Sequence, residues 1–205
     1  KAFKRPIASF LLSLPIEEKP KPKDYRMIPG KLNKFHKKTI LVMRKARNLQ
    51  EICKELSRNV AYDTTSKIRK VKISESPEDI AEKYRKLFEL TEEKQRKFKN
   101  AYELFNYLRD AFEEQNIFVF QFSMPIEDAR GFVFADEYPY TIVVNSADSI
   151  EARVFSLMHE FGHILLGESS IDLPEANAIH ENSVERWCNE FASSFLFPKE
   201  IANSV

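Results

Sequence analysis

Apolar residues recur at helical spacing in several stretches of this chain, and shorter apolar runs between them have the composition of strands. Lys38 to Val60 reads as a helix with Ile40, Leu41, Met43, Ala46, Leu49, Ile52, Cys53 and Leu56 turned inward. Ser76 and Pro77 open a second helix carrying Ile80, Ala81, Tyr84, Leu87 and Phe88 on one face, with proline where a first turn tolerates it. A longer helix follows Thr91, with Phe98, Tyr102, Phe105, Leu108 and Phe112 as its stripe. These aromatic stripes read as core. Ile117 to Phe122, Gly131 to Phe134 and Thr141 to Val144 are short aromatic or β-branched strands, with Pro125, Gly131 and Pro139 punctuating the connections. Arg153 to Leu166 places Val154, Leu157, Met158, Phe161, Ile164 and Leu165 at i, i+3, i+4 spacing. Asp148 and Glu151 make a capping box at its start, and Gly167 its stop. Val184 to Leu196 is the last helix, with Val184, Trp187, Cys188, Phe191, Phe195 and Leu196 apolar and Pro198 as terminator. The order predicts an α+β fold, a small and mostly antiparallel sheet packed on helices. Two positions stay open for Thr141 to Asn145. It is either an exposed edge to which an extended substrate adds, main chain to main chain, or a buried strand supporting the helix that follows.

Within the Arg153 helix lies His159-Glu160-Phe161-Gly162-His163, an HExxH motif. Histidines four apart stand one turn apart on one helix face, so both imidazoles can reach one metal ion. The carboxylate of Glu160 is then placed to take a proton from water at that ion. Gly162 costs such a helix about 1 kcal/mol against alanine, which points to close packing of another backbone or of the site. A third ligand is required, and Glu185 on the last helix completes a His₂Glu set with an open fourth position. Asn189, one turn on, is placed to orient a ligand. Glu190, Glu181, His180 and Cys188 compete with Glu185. Glu190 points to another side of the helix, and Cys188, set beside Trp187 and Phe191, reads as a small buried apolar residue. Glu185 is preferred. Tyr138, Tyr140 and His180 are near enough in sequence to be considered for stabilising an oxyanion, but each reads first as a surface residue.

Thr141-Ile-Val-Val-Asn145, Arg153 through His163, and Glu185-Arg-Trp-Cys-Asn-Glu-Phe-Ala192 with Leu196-Phe-Pro198 together resemble the ImmA/IrrE family of zinc metallopeptidases. That family pairs R-x-F-x-x-x-H-E-x-G-H with a downstream E-x-x-A-N-x-F-A-x-x-L-L-x-P. The resemblance covers roughly Ser76 to Pro198. The chain departs from it at Cys188, where alanine is usual, and at Phe195-Leu196-Phe197; neither change touches a metal or proton-transfer role. The resemblance implies a zincin-like, gluzincin-type domain over residues 76–205, preceded by a basic linker and helical segment over 1–75. It further implies that His159, His163 and Glu185 bind Zn²⁺ and that Glu160 is the general base. The implied activity is limited cleavage of a protein substrate, a helix-turn-helix transcriptional repressor. The alternative is a non-proteolytic regulatory or antitoxin-like module that retains the zinc site, but an intact Glu160 argues for catalysis. Arg5 to Leu11 and the proline-rich run Pro15 to Gly30 resemble the stretch that follows a helix-turn-helix head in two-domain members. The expectation is a fragment that lacks that head, with Lys199 to Val205 opening a further helix.

Charge divides the chain. Residues 1–72 hold 20 Lys and Arg against 6 Asp and Glu, and residues 73–205 hold 12 against 25, so a net +14 faces a net −13. The basic part can neutralise nucleic-acid phosphates, extend as a solvated arm, or pack against the acidic part; sparse aromatic interleaving disfavours the first. Cys53 and Cys188 give no disulfide framework. No apolar run is long enough for a bilayer and the start resembles no secretory signal, so the expectation is a cytoplasmic protein without membrane contact. With 4 glycines in the chain, a phosphate-cradling loop has little material.

Overall fold

The computed structural model describes residues 35–62, 68–167, 171–172 and 183–198. The elements run α1 (Lys37–Asn59), α2 (Pro77–Leu87), α3 (Glu92–Lys97), α4 (Ala101–Glu113), β1 (Ile117–Phe122), β2 (Gly131–Phe134), β3 (Tyr140–Asn145), α5 (Ile150–Leu166), β4 (Ile171–Asp172) and α6 (Ser183–Leu196). This is the expected α+β fold. The segments Arg5 to Leu11 and Pro15 to Gly30, together with His180, Glu181 and Lys199 to Val205, lie outside the described residues. Among the described residues no helix is long and apolar enough to cross a membrane.

The sheet has the order β1-β3-β2-β4. β3 pairs in parallel with β1 and antiparallel with β2, while β2 pairs antiparallel with β4. Of the two positions left open for Thr141 to Asn145, the edge is therefore wrong. β3 is central, and all its residues are buried. Its sequence Tyr-Thr-Ile-Val-Val-Asn has the near-continuous β-branched character of a strand covered on both faces. Asn145 ends the strand with a network: its side chain accepts from the Met124 and Ala147 amides and donates to the Met124 and Ala129 carbonyls.

Helices cover both faces. On one, Tyr140, Ile142 and Val144 of β3 and Val133 of β2 join α2, α4, α5 and α6 in the main core. On the other, Val143, Phe132 and Phe134 meet Val42, Met43 and Ala46 of α1. The inward face of α1 differs from the predicted one. Thr39 and Gln50 are buried, whereas Ile52 and Leu56 are 42% and 57% exposed. The turns before β2 and β3 offer polar partners that outrank apolar burial here. Gln50 Nε2 donates to the Glu137 and Pro139 carbonyls at 3.1 and 2.9 Å, and Thr39 Oγ1 donates to Asp128 Oδ2 at 2.6 Å. Arg47 pairs with Asp136 at 2.8 Å and lies over the Phe134 ring, and Lys54 pairs with Glu137. Of the roles considered for the basic segment, α1 thus takes packing against the acidic part.

Two helix boundaries also differ. The long helix after Thr91 is two helices, each with its own cap. Thr91 accepts from the Lys94 amide and Asn100 from the Glu103 amide, and between them Phe98 is extended. An asparagine N-cap starts a helix as readily as it would decorate one. Phe105, Leu108 and Phe112 are buried as predicted, but Tyr102 is 55% exposed, as is Leu87 on α2 in part. The second boundary is that of α5, whose N-cap is Ser149, accepting from the Ala152 amide. Asp148 instead accepts from Arg130 and from the Ser149 amide. Gly167 is the C-cap with φ 78°, a left-handed conformation that suits glycine.

The polar α1 face makes a measurable claim. Gln50→Ala leaves buried carbonyls without their donor and is expected to cost about 1–3 kcal/mol in urea unfolding. Ile52→Ala is expected to stay within about 0.5 kcal/mol. The reverse order of costs would restore the purely apolar face.

Candidate metal centre

The HEFGH turn of α5 distributes its side chains to three neighbours. Phe161 roots the helix in the core, its ring 5.0 Å from Tyr84, 4.7 Å from Phe112, 5.7 Å from Phe88 and 5.8 Å from Phe191 between centroids. Gly162 faces α6. A β-carbon at 162 would stand 3.0 Å from Cys188 Sγ and 3.2 Å from both its Cα and Cβ. The glycine therefore serves close packing of another helix, as its cost predicted, and Cys188 is the buried apolar residue expected, filling the space Gly162 leaves. His159, Glu160 and His163 face the sheet and the start of α6, each at most 1% exposed.

α6 brings Glu185 to the histidines. It is anchored near its start by Trp187, whose Nε1 donates to the Glu75 carbonyl at 2.8 Å. At its end, Arg85 donates to the Phe195 carbonyl at 2.6 Å and Gln95 to the Leu196 carbonyl at 2.8 Å. The C-terminal end of α5 is held as well. Lys70 Nζ donates to the Ile164 carbonyl at 2.6 Å, and the Val71 amide to Leu165. Burial lowers the Lys70 amine to about 8.

The result is a compact donor set. His159 Nε2 and His163 Nε2 lie 3.2 Å apart, His159 Nε2 is 3.2 Å from Glu185 Oε2, and His163 Nε2 is 3.3 Å from Glu185 Oε1. Burial pushes the Glu185 carboxyl up, but hydrogen bonding with His159 and His163, together with their charge, more than offsets this and holds it well below the usual carboxylate range. Two neutral imidazoles and one carboxylate are ordinary zinc donors. Ligands about 2.0–2.1 Å from a tetrahedral ion stand about 3.3–3.4 Å from one another, close to the separations observed. The residues fit the metal.

His159, His163 and Glu185 are thus brought together as a possible metal site among the described residues, and the described competitors Glu190 and Cys188 are not part of it. Glu190 is exposed, Cys188 is taken up by helix packing, and Asn189 is half-buried one turn beyond Glu185. Tyr138 lies at the surface as expected, but Tyr140 is buried in β3, its ring 4.2 Å from that of Tyr138. A central strand has no surface position to give it. One residue escaped notice: Gly131, read from the sequence as punctuation, lies directly against Glu160. Its only sequence signal was a glycine opening an otherwise aromatic strand.

Residues 112–204 match the Peptidase_M78 family, the IrrE N-terminal-like domain. That segment is similar to the ImmA/IrrE family domain, in line with the motifs, and it takes in the end of α4, the whole sheet, α5 and α6. No curated protein and no solved structure matched the chain. Within the family domain, Gly162 offers a direct probe of how the donors are held. Gly162→Ala adds a methyl against Cys188. Overpacking costs about 1–3 kcal/mol, offset in part by the roughly 1 kcal/mol that alanine gains in a helix. We expect a lower melting temperature and weaker zinc retention, read by scanning calorimetry and by metal content after dialysis against a chelator. An unchanged protein would mean that α6 has room to retreat.

Proposed function

We propose that this chain is a zinc-dependent endopeptidase making a limited cut in a protein substrate, a helix-turn-helix transcriptional repressor. The observation that carries the reading is the convergence of His159, His163 and Glu185 from two helices beside a buried glutamate, Glu160, that no metal-binding role requires. His159 and His163 present Nε2, and Glu185 a carboxylate oxygen, to the ion. Zinc held there supplies Lewis acidity, which lowers the pKa of water toward ~7 and polarises a peptide carbonyl. Glu160 accepts the proton of the attacking water and delivers it to the leaving amine. Exclusion of bulk water strengthens each of these charge interactions. The family match supports a metallopeptidase; the repressor as substrate follows from the resemblance of the motifs. The ion pairs that α1 makes with Asp136 and Glu137 favour packing within the chain over contact with nucleic acid for those two cations.

The test uses purified protein, zinc, and candidate helix-turn-helix repressors, beginning with any encoded beside its gene. About one zinc per chain is expected. Glu160→Gln should keep the metal and lose cleavage by about a hundredfold or more, read on gels. Glu185→Gln should lower the zinc content, and unchanged content would shift the third ligand elsewhere. Zinc-loaded wild type that binds the repressor and leaves it intact would make the protein a regulatory binding module instead of a peptidase.

A further inference from the structure

Gly131 opens β2 and is held on both sides, by Val144 of β3 and by Asp172 of β4. Strand alternation sends Val133 into the main core beneath α5, and sends Phe132 and Phe134 to the α1 side. Position 131 shares the Val133 face, so any side chain there would project toward α5. A β-carbon at 131 would stand 3.2 Å from Glu160 Oε1 and 3.4 Å from Glu160 Cγ. It would also stand 2.9 Å from the Val143 carbonyl oxygen. Two constraints therefore converge on one missing methyl group. One belongs to the sheet alone, and the other belongs to the proposed general base.

We infer that Gly131 is a positioning residue for Glu160, its bare backbone forming the slot in which the carboxylate lies. The reasoning rests on the peptidase reading only for what Glu160 does. The contact itself is independent of it. Glu160 has little freedom to escape an intruding methyl. Its backbone is fixed by Phe161, which is packed among four rings, and the side chain is fully buried. β2 cannot back away, being paired along both edges at this residue. The clash with Glu160 would thus be relieved mainly by rotation of its carboxylate out of place, while the clash with the Val143 carbonyl would remain. A misplacement of about 1 Å at a reacting group can cost a hundredfold in rate. The metal donors on α5 and α6 are not among the atoms nearest position 131 and should be spared.

A double-mutant cycle separates the two constraints. The metal-free wild type, Gly131→Ala, Glu160→Ala and the double variant are unfolded in urea, and zinc per chain is measured for each. The loss in midpoint caused by Gly131→Ala should be smaller in the Glu160→Ala background, because the contact with Oε1 and Cγ is then gone while that with Val143 remains. If Gly131→Ala does not fold but the double variant does, the same conclusion holds. An equal loss in both backgrounds, or failure of both to fold, would show that Gly131 serves the Val143 contact alone and would overturn the inference. On the repressor that the wild type cuts, Gly131→Ala should lower kcat at least tenfold, with KM and zinc content unchanged. A wild type that cuts nothing would end the peptidase reading and leave the stability cycle to decide this contact by itself.

Discussion

The close approach of α5 and α6 at Gly162 and Cys188 is the constraint on which the site depends. Cys188 lies three residues beyond Glu185, on the same side of α6, so the distance admitted at Gly162 fixes how near Glu185 comes to both histidines. That proximity makes the burial of three ionisable groups tolerable. An isolated carboxylate in such a place is expensive, and so is a pair with one partner removed. Here the carboxylate is hydrogen-bonded by two imidazoles, and the three share the cost until a cation takes their place at the centre. The aromatic cluster around Phe161 supplies the apolar burial that keeps the two helices pressed together.

A second set of forces works on the far side of the sheet. α1 attaches through a small apolar contact supplemented by Gln50, Thr39, Arg47 and Lys54, all reaching the β2–β3 region or the turn before β2. Those partners brace the strands from behind while α5 braces them from in front. The charge division along the chain thus has a structural use within the described residues: cations of the first part meet carboxylates of the second at the β2–β3 turn. Exposed ion pairs contribute little individually, so the buried amide of Gln50 carries more of this attachment than the charges do.

Local physics made much of this legible in the sequence. Two histidines one turn apart, a capping serine before Pro77, and the apolar stripe of α6 all follow from periods of 3.6 residues and need no knowledge of the rest of the fold. Glu185 emerged from the same arithmetic, since only residues flanking that stripe face both inward and toward polar company. Non-local choices stayed hidden. Whether Thr141 to Asn145 was central or at an edge depends on strand order, which no single strand encodes. The turned face of α1 arose because buried Thr39 and Gln50 found carbonyl and carboxylate partners far along the chain. Gly131 was invisible for the same reason: the atom that needs its bareness belongs to a different element. The misplaced caps differ in kind. Asn100 and Ser149 are ordinary cap residues, overlooked because a longer periodic pattern or a neighbouring acid explained the same stretch.

The hydrogen bonds that hold α6 also bear on where the working unit begins. Glu75, Arg85 and Gln95 all precede residue 112, where the match to the family domain starts. The helix that carries Glu185 is thus clamped at both ends by residues lying upstream of the segment by which the domain is recognised. Ancestry and mechanics draw different borders on this chain. A domain cut at the first border would keep every donor atom and lose the scaffold that makes them converge.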